Sequence, residues 1–151
     1  MALSAGAAAF AGACCCRSGV GTVRSTLQVL ETFESVQGES TWAGLSCFFI
    51  RLAGCNLRCR YCDTHRAREG GQARSAEDLV CAASRSECCL IEVTGGEPLL
   101  QPACVPLVAS LLEASAKPVL VETNGSRDRG MLPAEAIVVM DVKCPDSGEC
   151  G

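Results

Sequence analysis

The sequence has no excess of positive charge, no membrane-length apolar run and no basic segment ahead of its first apolar stretch. With 13 Lys and Arg against 17 Asp and Glu, the net charge of −4 speaks against a nucleic-acid surface, which presents clustered Lys and Arg. No uninterrupted apolar segment reaches the roughly 18 residues needed to span a bilayer. No Lys or Arg precedes the apolar residues ahead of Cys14, so the positive n-region of a signal peptide is missing. No repeat or long low-complexity linker occurs after residue 25. What remains is a chain of 151 residues, 48% hydrophobic and 20% charged. That is enough for one globular domain with a core and too short for two large ones.

One residue type is abundant. Thirteen cysteines in a short secreted protein would suggest a disulfide framework. Here they are odd in number and irregularly spaced. Some, such as Cys47, Cys81 and Cys89, lie in apolar runs, where a free thiol acts as a small hydrophobe. The pattern fits a reducing, cytoplasmic setting. Residues 1–25, rich in Ala, Gly, Ser and Cys and including Cys14, Cys15 and Cys16, read as a disordered leader. A transit peptide is the alternative there. Residues 26–151 form the expected core domain.

Within that core, residues 27–33 alternate well enough for a short strand, followed by a polar, Gly-containing loop over 34–44. Residues 47–53 read as a buried strand, and the charged, Gly-rich stretch 66–72 as a solvated connection. Ser75 caps a helix running to about Ser86, with Asp78 at the capping-box position. Residues 89–94 are a second buried strand. A helix over about 102–115 follows, with Val105, Val108, Leu111 and Leu112 near helical period. Residues 118–123 and 136–143 supply a third and a fourth strand. Strands alternating with helices imply parallel βα units. Each of the four ends in a loop with polar or Gly residues, where α/β enzymes place their chemistry. The fourth strand is expected at an exposed edge.

The densest motif follows the first buried strand. Cys55, Cys59 and Cys62 stand at i, i+4 and i+7 within residues 54–64, so one loop can turn three thiolates onto one inorganic centre. A cubane iron–sulfur cluster takes four cysteines. Three would leave one iron open, as catalytic metal sites keep a position for substrate. Zinc with a fourth ligand, His65 or another cysteine, is the competing reading, although His65 reads as a loop residue.

Taken together, the Cys55/Cys59/Cys62 trio with Asp63 and Thr64, the Gln37-Gly38-Glu39 loop, residues 49–52, 94–98 and 122–125, and Asp141-Val142-Lys143 resemble the radical S-adenosylmethionine superfamily. Within it, the similarity is to the 7-carboxy-7-deazaguanine synthases, over about residues 28–148. The resemblance implies an α/β fold, a partial (β/α) barrel of the radical S-adenosylmethionine type, here incomplete at the C-terminus because family members continue with further βα units. It implies a [4Fe–4S] cluster on the three cysteines, with S-adenosylmethionine on the fourth iron and split by one electron to a 5′-deoxyadenosyl radical. Tyr61, Cys62, Asp63, Gly96, Asp141, Val142 and Lys143 would contact that cofactor, and Glu122 and Asn124 are further candidates. Gly95 and Gly96 would let the backbone approach it closely, and Glu97 would meet its amino end.

The implied substrate is 6-carboxy-5,6,7,8-tetrahydropterin, contracted to 7-carboxy-7-deazaguanine with loss of ammonia in queuosine synthesis. Arg51 would be a fork for its carboxylate. Val36, Gln37 and Gly38, with Glu39 beside them, would meet the pterin edge, and Thr94 would add a hydroxyl. Thr64 would be a ligand of Mg²⁺, a hard cation suited to oxygen donors. The family also implies a flavodoxin- or ferredoxin-type electron donor and a homodimer, with no nucleic acid and no membrane.

Blander readings stand beside these. Arg51 would be a surface charge, Thr64 a turn cap, Glu122 and Asn124 turn residues, and Asp141 and Lys143 a structural pair. Two other functions stay open: a radical activase that takes hydrogen from a protein glycine, and a non-catalytic iron–sulfur or zinc-binding fragment.

Overall fold

The computed structural model describes residues 25–149. The expected leader therefore lies outside the described residues except for Ser25. Six strands and two α-helices appear in the order β1 (Thr26–Val36), β2 (Ser46–Leu52), β3 (Gln72–Ser75), α1 (Ala76–Arg85), β4 (Leu90–Gly95), α2 (Cys104–Ala114), β5 (Val119–Thr123) and β6 (Ile137–Met140). They form one sheet in the spatial order β3-β1-β2-β4-β5-β6. The neighbours β2/β4, β4/β5 and β5/β6 are parallel, whereas β1 pairs antiparallel with both β2 and β3. The four parallel strands are those expected, and β6 stands at the edge.

Both helices pack on one face of the sheet. Helix α1 begins where the Ser75 hydroxyl accepts the Asp78 N–H at 3.1 Å, a cap that contributes about 1 kcal/mol. It buries Ala76, Leu79 and Ala83. Helix α2 buries Cys104, Leu107, Val108 and Leu111, the i, i+3, i+4, i+7 stripe of a helix lying on a core. These side chains meet Phe48, Ile50, Leu52, Ile91, Val93, Val119 and Val121 from the strands in the main core.

The opposite face follows the other phase of the strand alternation. Its apolar cluster is small: Cys47 and Phe49 from β2, Leu90 from β4 and Leu120 from β5. Continuing two residues at a time along the same face gives Arg51, then Glu92 and Thr94, then Glu122. Each parallel strand thus passes from apolar to polar toward its C-terminal end. That gradient makes a closed floor at one end and a chemical surface at the other.

Three expectations are corrected. Strand β1 is not confined to residues 27–33. Pairing of Glu34 with Phe48, Ser35 with Cys47 and Val36 with Ser46 carries it on to Val36 and shortens the loop. The solvated connection expected over 66–72 ends before residue 72, because residues 72–75 form an unforeseen strand, held through backbone pairing with residues 26–29. Finally, the βα alternation fails between β5 and β6, where the crossover holds only the short 3-10 turn Arg129–Met131. Strand β6 itself ends at Met140, although Asp141 N–H still donates to the Thr123 carbonyl at 2.9 Å.

Candidate active site

A cavity of about 450 Å³ opens at the C-terminal ends of the parallel strands, within the size range of small-molecule sites. It gathers most of the residues singled out in the sequence. Val36, Gln37, Gly38 and Glu39 enter from the β1 loop, and Arg51 from β2. Cys55, Cys59, Tyr61, Cys62, Asp63 and Thr64 come from the cysteine loop. Thr94, Gly95 and Gly96 stand at the end of β4, Glu122 and Asn124 at the end of β5, and Asp141 and Lys143 beyond β6. Two expected residues stand apart. Val142 is 76% exposed, and Glu97 is fully buried beneath the cavity wall.

The cysteine loop is seated by backbone. Gly54 donates to the Ala67 carbonyl at 2.7 Å and accepts from Glu97 N–H at 2.8 Å, while Arg60 N–H donates to the Ser147 carbonyl at 2.9 Å. The two glycines line the cavity and are also crowded by the chain itself. A Cβ on Gly95 would lie 2.2 Å from the Leu52 oxygen, and one on Gly96 would lie 2.3 Å from the Gly54 oxygen and 2.6 Å from the Cys55 Cβ. The end of β2 at Leu52 thus leaves no room for a side chain at Gly95, and the cysteine loop leaves none at Gly96, independently of any ligand.

Cys55, Cys59 and Cys62 are free thiols. No three His, Cys, Asp or Glu side chains among the described residues converge closely enough to hold a single metal ion. A cubane takes each cysteine on a separate iron, so its ligands need share only a wall, as these three do. Arg68 adds a cation beside them: its Nη2 donates to the Cys59 carbonyl at 3.1 Å, and its buried Nε has no hydrogen-bond partner. A cationic donor next to three thiols fits a centre of negative charge.

Glu97 was expected to meet a cofactor amino group. The structure gives its carboxylate other partners. Thr123 Oγ1 lies 2.9 Å from both oxygens, Asn124 N–H donates at 2.8 Å and Leu99 N–H at 3.0 Å. It fastens the end of β4 to the end of β5. Asn124 also makes a turn, accepting from Ser126 N–H at 3.0 Å while facing the cavity.

On the substrate side, Arg51 Nε donates to Glu31 at 3.0 Å and its guanidinium lies 5.5 Å from the Phe33 ring centre. Both contacts orient the fork, and neither uses its terminal nitrogens. Asp141 and Lys143 do form an ion pair, yet both line the cavity. Burial pulls the Lys143 ammonium down, but the hydrogen bond and charge of Asp141, with Cys59 and Tyr61, carry it above the usual lysine value. Thr64 donates its hydroxyl to Asp63 at 2.8 Å, which leaves its oxygen lone pairs available to a hard cation.

The residue that sequence reasoning missed is Glu92. It is 2% exposed and lines the cavity between Gln37 and Glu122. Burial first, then the charge and hydrogen bond of Glu122 and the charge of Glu39, push its carboxyl up to about 8, against the hydrogen bond from Gln37. Glu122 likewise raises Glu39, helped by burial, Asp141 and Asp63 and opposed by Lys143. A charged residue inside the apolar run Leu90-Ile91-Glu92-Val93 was the available signal, because Glu is almost never fully buried unless paired.

The three cysteines, the glycine-lined strand end and the parallel strands around one cavity define a class. The chain belongs to the radical SAM superfamily, whose family model matches residues 49–141. More narrowly, it is 42% identical over 127 residues to the 7-carboxy-7-deazaguanine synthase of Koribacter versatilis, a match covering 83% of this chain and 56% of that one. It is 44% identical over 125 residues to the protein of the same name from Methanospirillum hungatei, covering 83% and 53%. The crystal structure of QueE from Escherichia coli superposes with a TM-score of 0.71 at 27% identity, over 82% of this chain and 63% of that one. The chain thus spans about half the length of the curated relatives it matches.

Proposed function

We propose that this chain carries the chemistry for which its relatives are named: conversion of 6-carboxy-5,6,7,8-tetrahydropterin to 7-carboxy-7-deazaguanine with loss of ammonia, a lyase step in queuosine synthesis. The observation that carries the reading is the meeting, in one cavity, of the cysteine trio with Gln37, Arg51 and Thr94. Cys55, Cys59 and Cys62 would hold the [4Fe–4S] cluster. Tyr61, Asp63, Gly96, Asp141 and Lys143 would line the place of S-adenosylmethionine. Bound there, the two cofactors would supply the one-electron cleavage chemistry, and with it hydrogen-atom abstraction from the substrate.

The remaining work falls to this chain's own side chains. Arg51 offers its terminal nitrogens to the substrate carboxylate as a bidentate fork. Gln37 and its neighbours border the pterin edge, with the Thr94 hydroxyl between them and Glu122. Thr64 supplies an oxygen to Mg²⁺, whose preference for oxygen ligands it meets. The mixed sheet closes the cavity from below and limits water. A flavodoxin- or ferredoxin-type donor, a homodimeric assembly and a reducing cytoplasmic setting belong to the same proposal. No helix among the described residues is long and apolar enough to cross a membrane.

Anaerobic reconstitution with iron and sulfide, followed by S-adenosylmethionine, reductant and the carboxytetrahydropterin, tests the reading. Release of 7-carboxy-7-deazaguanine and ammonia is the expected result. Cofactor cleavage indifferent to the pterin would move the assignment to a protein-radical activase. Bound zinc, or a cluster whose spectrum ignores S-adenosylmethionine, would overturn the radical reading itself.

A further inference from the structure

We propose that Glu92 is a positioning residue: the bridge from the Gln37 amide through Glu92 to Glu122 latches residues 36–39 onto the sheet and fixes the orientation of the groups that border the substrate. Gln37 Nε2 donates to Glu92 Oε2. The other end of the Gln37 amide accepts Glu39 N–H at 2.9 Å, so one side chain holds both the sheet and the turn above it. Glu92 hydrogen-bonds the Glu122 side chain in turn, and the Glu122 carboxylate accepts the Thr94 hydroxyl at 2.7 Å. The network therefore joins the β1 loop, β4 and β5.

Beyond the pairing of Val36 with Ser46 at the end of β1 and the packing of Trp42 on the small apolar cluster, the loop has few other anchors. Gln37 N–H donates to the Leu45 carbonyl and Gly44 N–H to the Gln37 carbonyl, each at 2.8 Å. These close its base. They leave Val36, Gly38 and Glu39 exposed while Gln37 alone is buried, at 5%. A buried amide reaching a buried carboxyl is then the contact that decides where the loop lies. Burial first, then the neighbouring Glu122 carboxyl, pushes Glu92 up to about 8, because a desolvated carboxyl beside a second one favours its neutral form. The other groups facing it are Glu39 from the loop and Cys47 from β2. Burial first, then the charge of Glu92, pushes the Cys47 thiol up to about 12, so it stays neutral throughout.

Linkage gives the sign. Closing the loop adds burial and the charge of Glu39, which raise the Glu92 carboxyl, against the Gln37 hydrogen bond, which lowers it; burial is the largest of these, so closure is favoured at low pH. That advantage is lost as pH rises toward about 8 and is level above it, changing by at most about tenfold per pH unit. Amide hydrogen exchange on the ligand-free chain reads it directly, through the protection factors of residues 36–39 between pH 6 and 9.5. Wild type should lose protection up to about pH 8 and hold level above it. Glu92→Gln, a neutral carboxamide that can accept from Gln37 and donate to Glu122, should keep the loop protected with a flat profile. Glu92→Leu should lose protection at every pH while the melting transition of the sheet persists.

A Leu variant that keeps wild-type protection, or a Gln variant that loses it as fully as Leu, would overturn the latch. Only the name of the ligand above the loop rests on the pterin reading. If the wild-type chain makes no deazaguanine and yet shows the titrating protection, that reading fails and the latch stands.

Discussion

The two ends of the cavity are held by different kinds of bond. At the cysteine end, the loop is seated by backbone hydrogen bonds from Gly54 and Arg60 and by two glycines with no room for a Cβ. At the carboxyl end, the loop is seated by side chains, one of which, Glu92, has its carboxyl pushed by burial up to about 8. The first arrangement is indifferent to pH and intolerant of added atoms. The second tolerates changes of shape and responds to protons. An inorganic centre needs ligands that stay fixed, whereas a polar organic ligand is met by groups whose protonation can match it.

The comparison is broken most severely at Gly96. Its Cβ would strike the Gly54 oxygen and the Cys55 Cβ, and neither atom can leave by rotating a flexible side chain. We expect Gly96→Ala to lift the cysteine loop and break the bond from Glu97 N–H to Gly54. The cost should be about 3 kcal/mol, the upper range for overpacking. Iron bound after anaerobic reconstitution should fall to a small fraction of wild type at every pH, while protection of residues 36–39 is kept. Loss at both ends would show that the two loops form one cooperative unit.

A smaller effect is expected at Glu97, the beam beneath both ends. Each of its oxygens already receives a backbone N–H, from Leu99 on one side and Asn124 on the other. Glu97→Gln must turn an NH₂ group toward one of those donors, leaving a buried polar group unsatisfied at about 1–3 kcal/mol. For a chain of this length that lowers the melting temperature by about 2–4 °C per kcal/mol. Calorimetry checks it. An unchanged melting temperature would mean that Glu97 reaches solvent or a ligand rather than serving as a brace.

The same contrast explains what could be read from the sequence. The cysteine loop was legible because a metal site is coded by spacing, and Cys55, Cys59 and Cys62 lie within eight residues of chain. Helix α1 was legible because its cap is local, Ser75 to Asp78. Strand β3 was not. Its side chains are exposed or half-buried, and only backbone pairing with β1 makes it a strand, which no hydrophobic pattern records. The role of Gly95 and Gly96 was half legible: the need for glycine was plain, but the group that crowds them is the chain's own backbone. Glu92 was hidden because its partners come from residues 37 and 122, which only the fold brings together.

The smallest expected effect falls on His65, the sole histidine and, beside another cysteine, a candidate fourth ligand that would let the cysteine trio complete a zinc site without a cofactor. It opens the 3-10 turn His65–Arg68, is exposed, and is not among the residues lining the cavity. In a zinc site the ligand set is closed by the protein, and losing the fourth ligand of a tetrahedral centre releases metal. In a three-cysteine cluster site the fourth position belongs to the cofactor, and this imidazole has no part in it. We therefore expect His65→Ala to leave iron content and cluster absorbance unchanged within error. A fall in bound metal to the level of a cysteine substitution would place the imidazole on the centre and return the site to structural zinc.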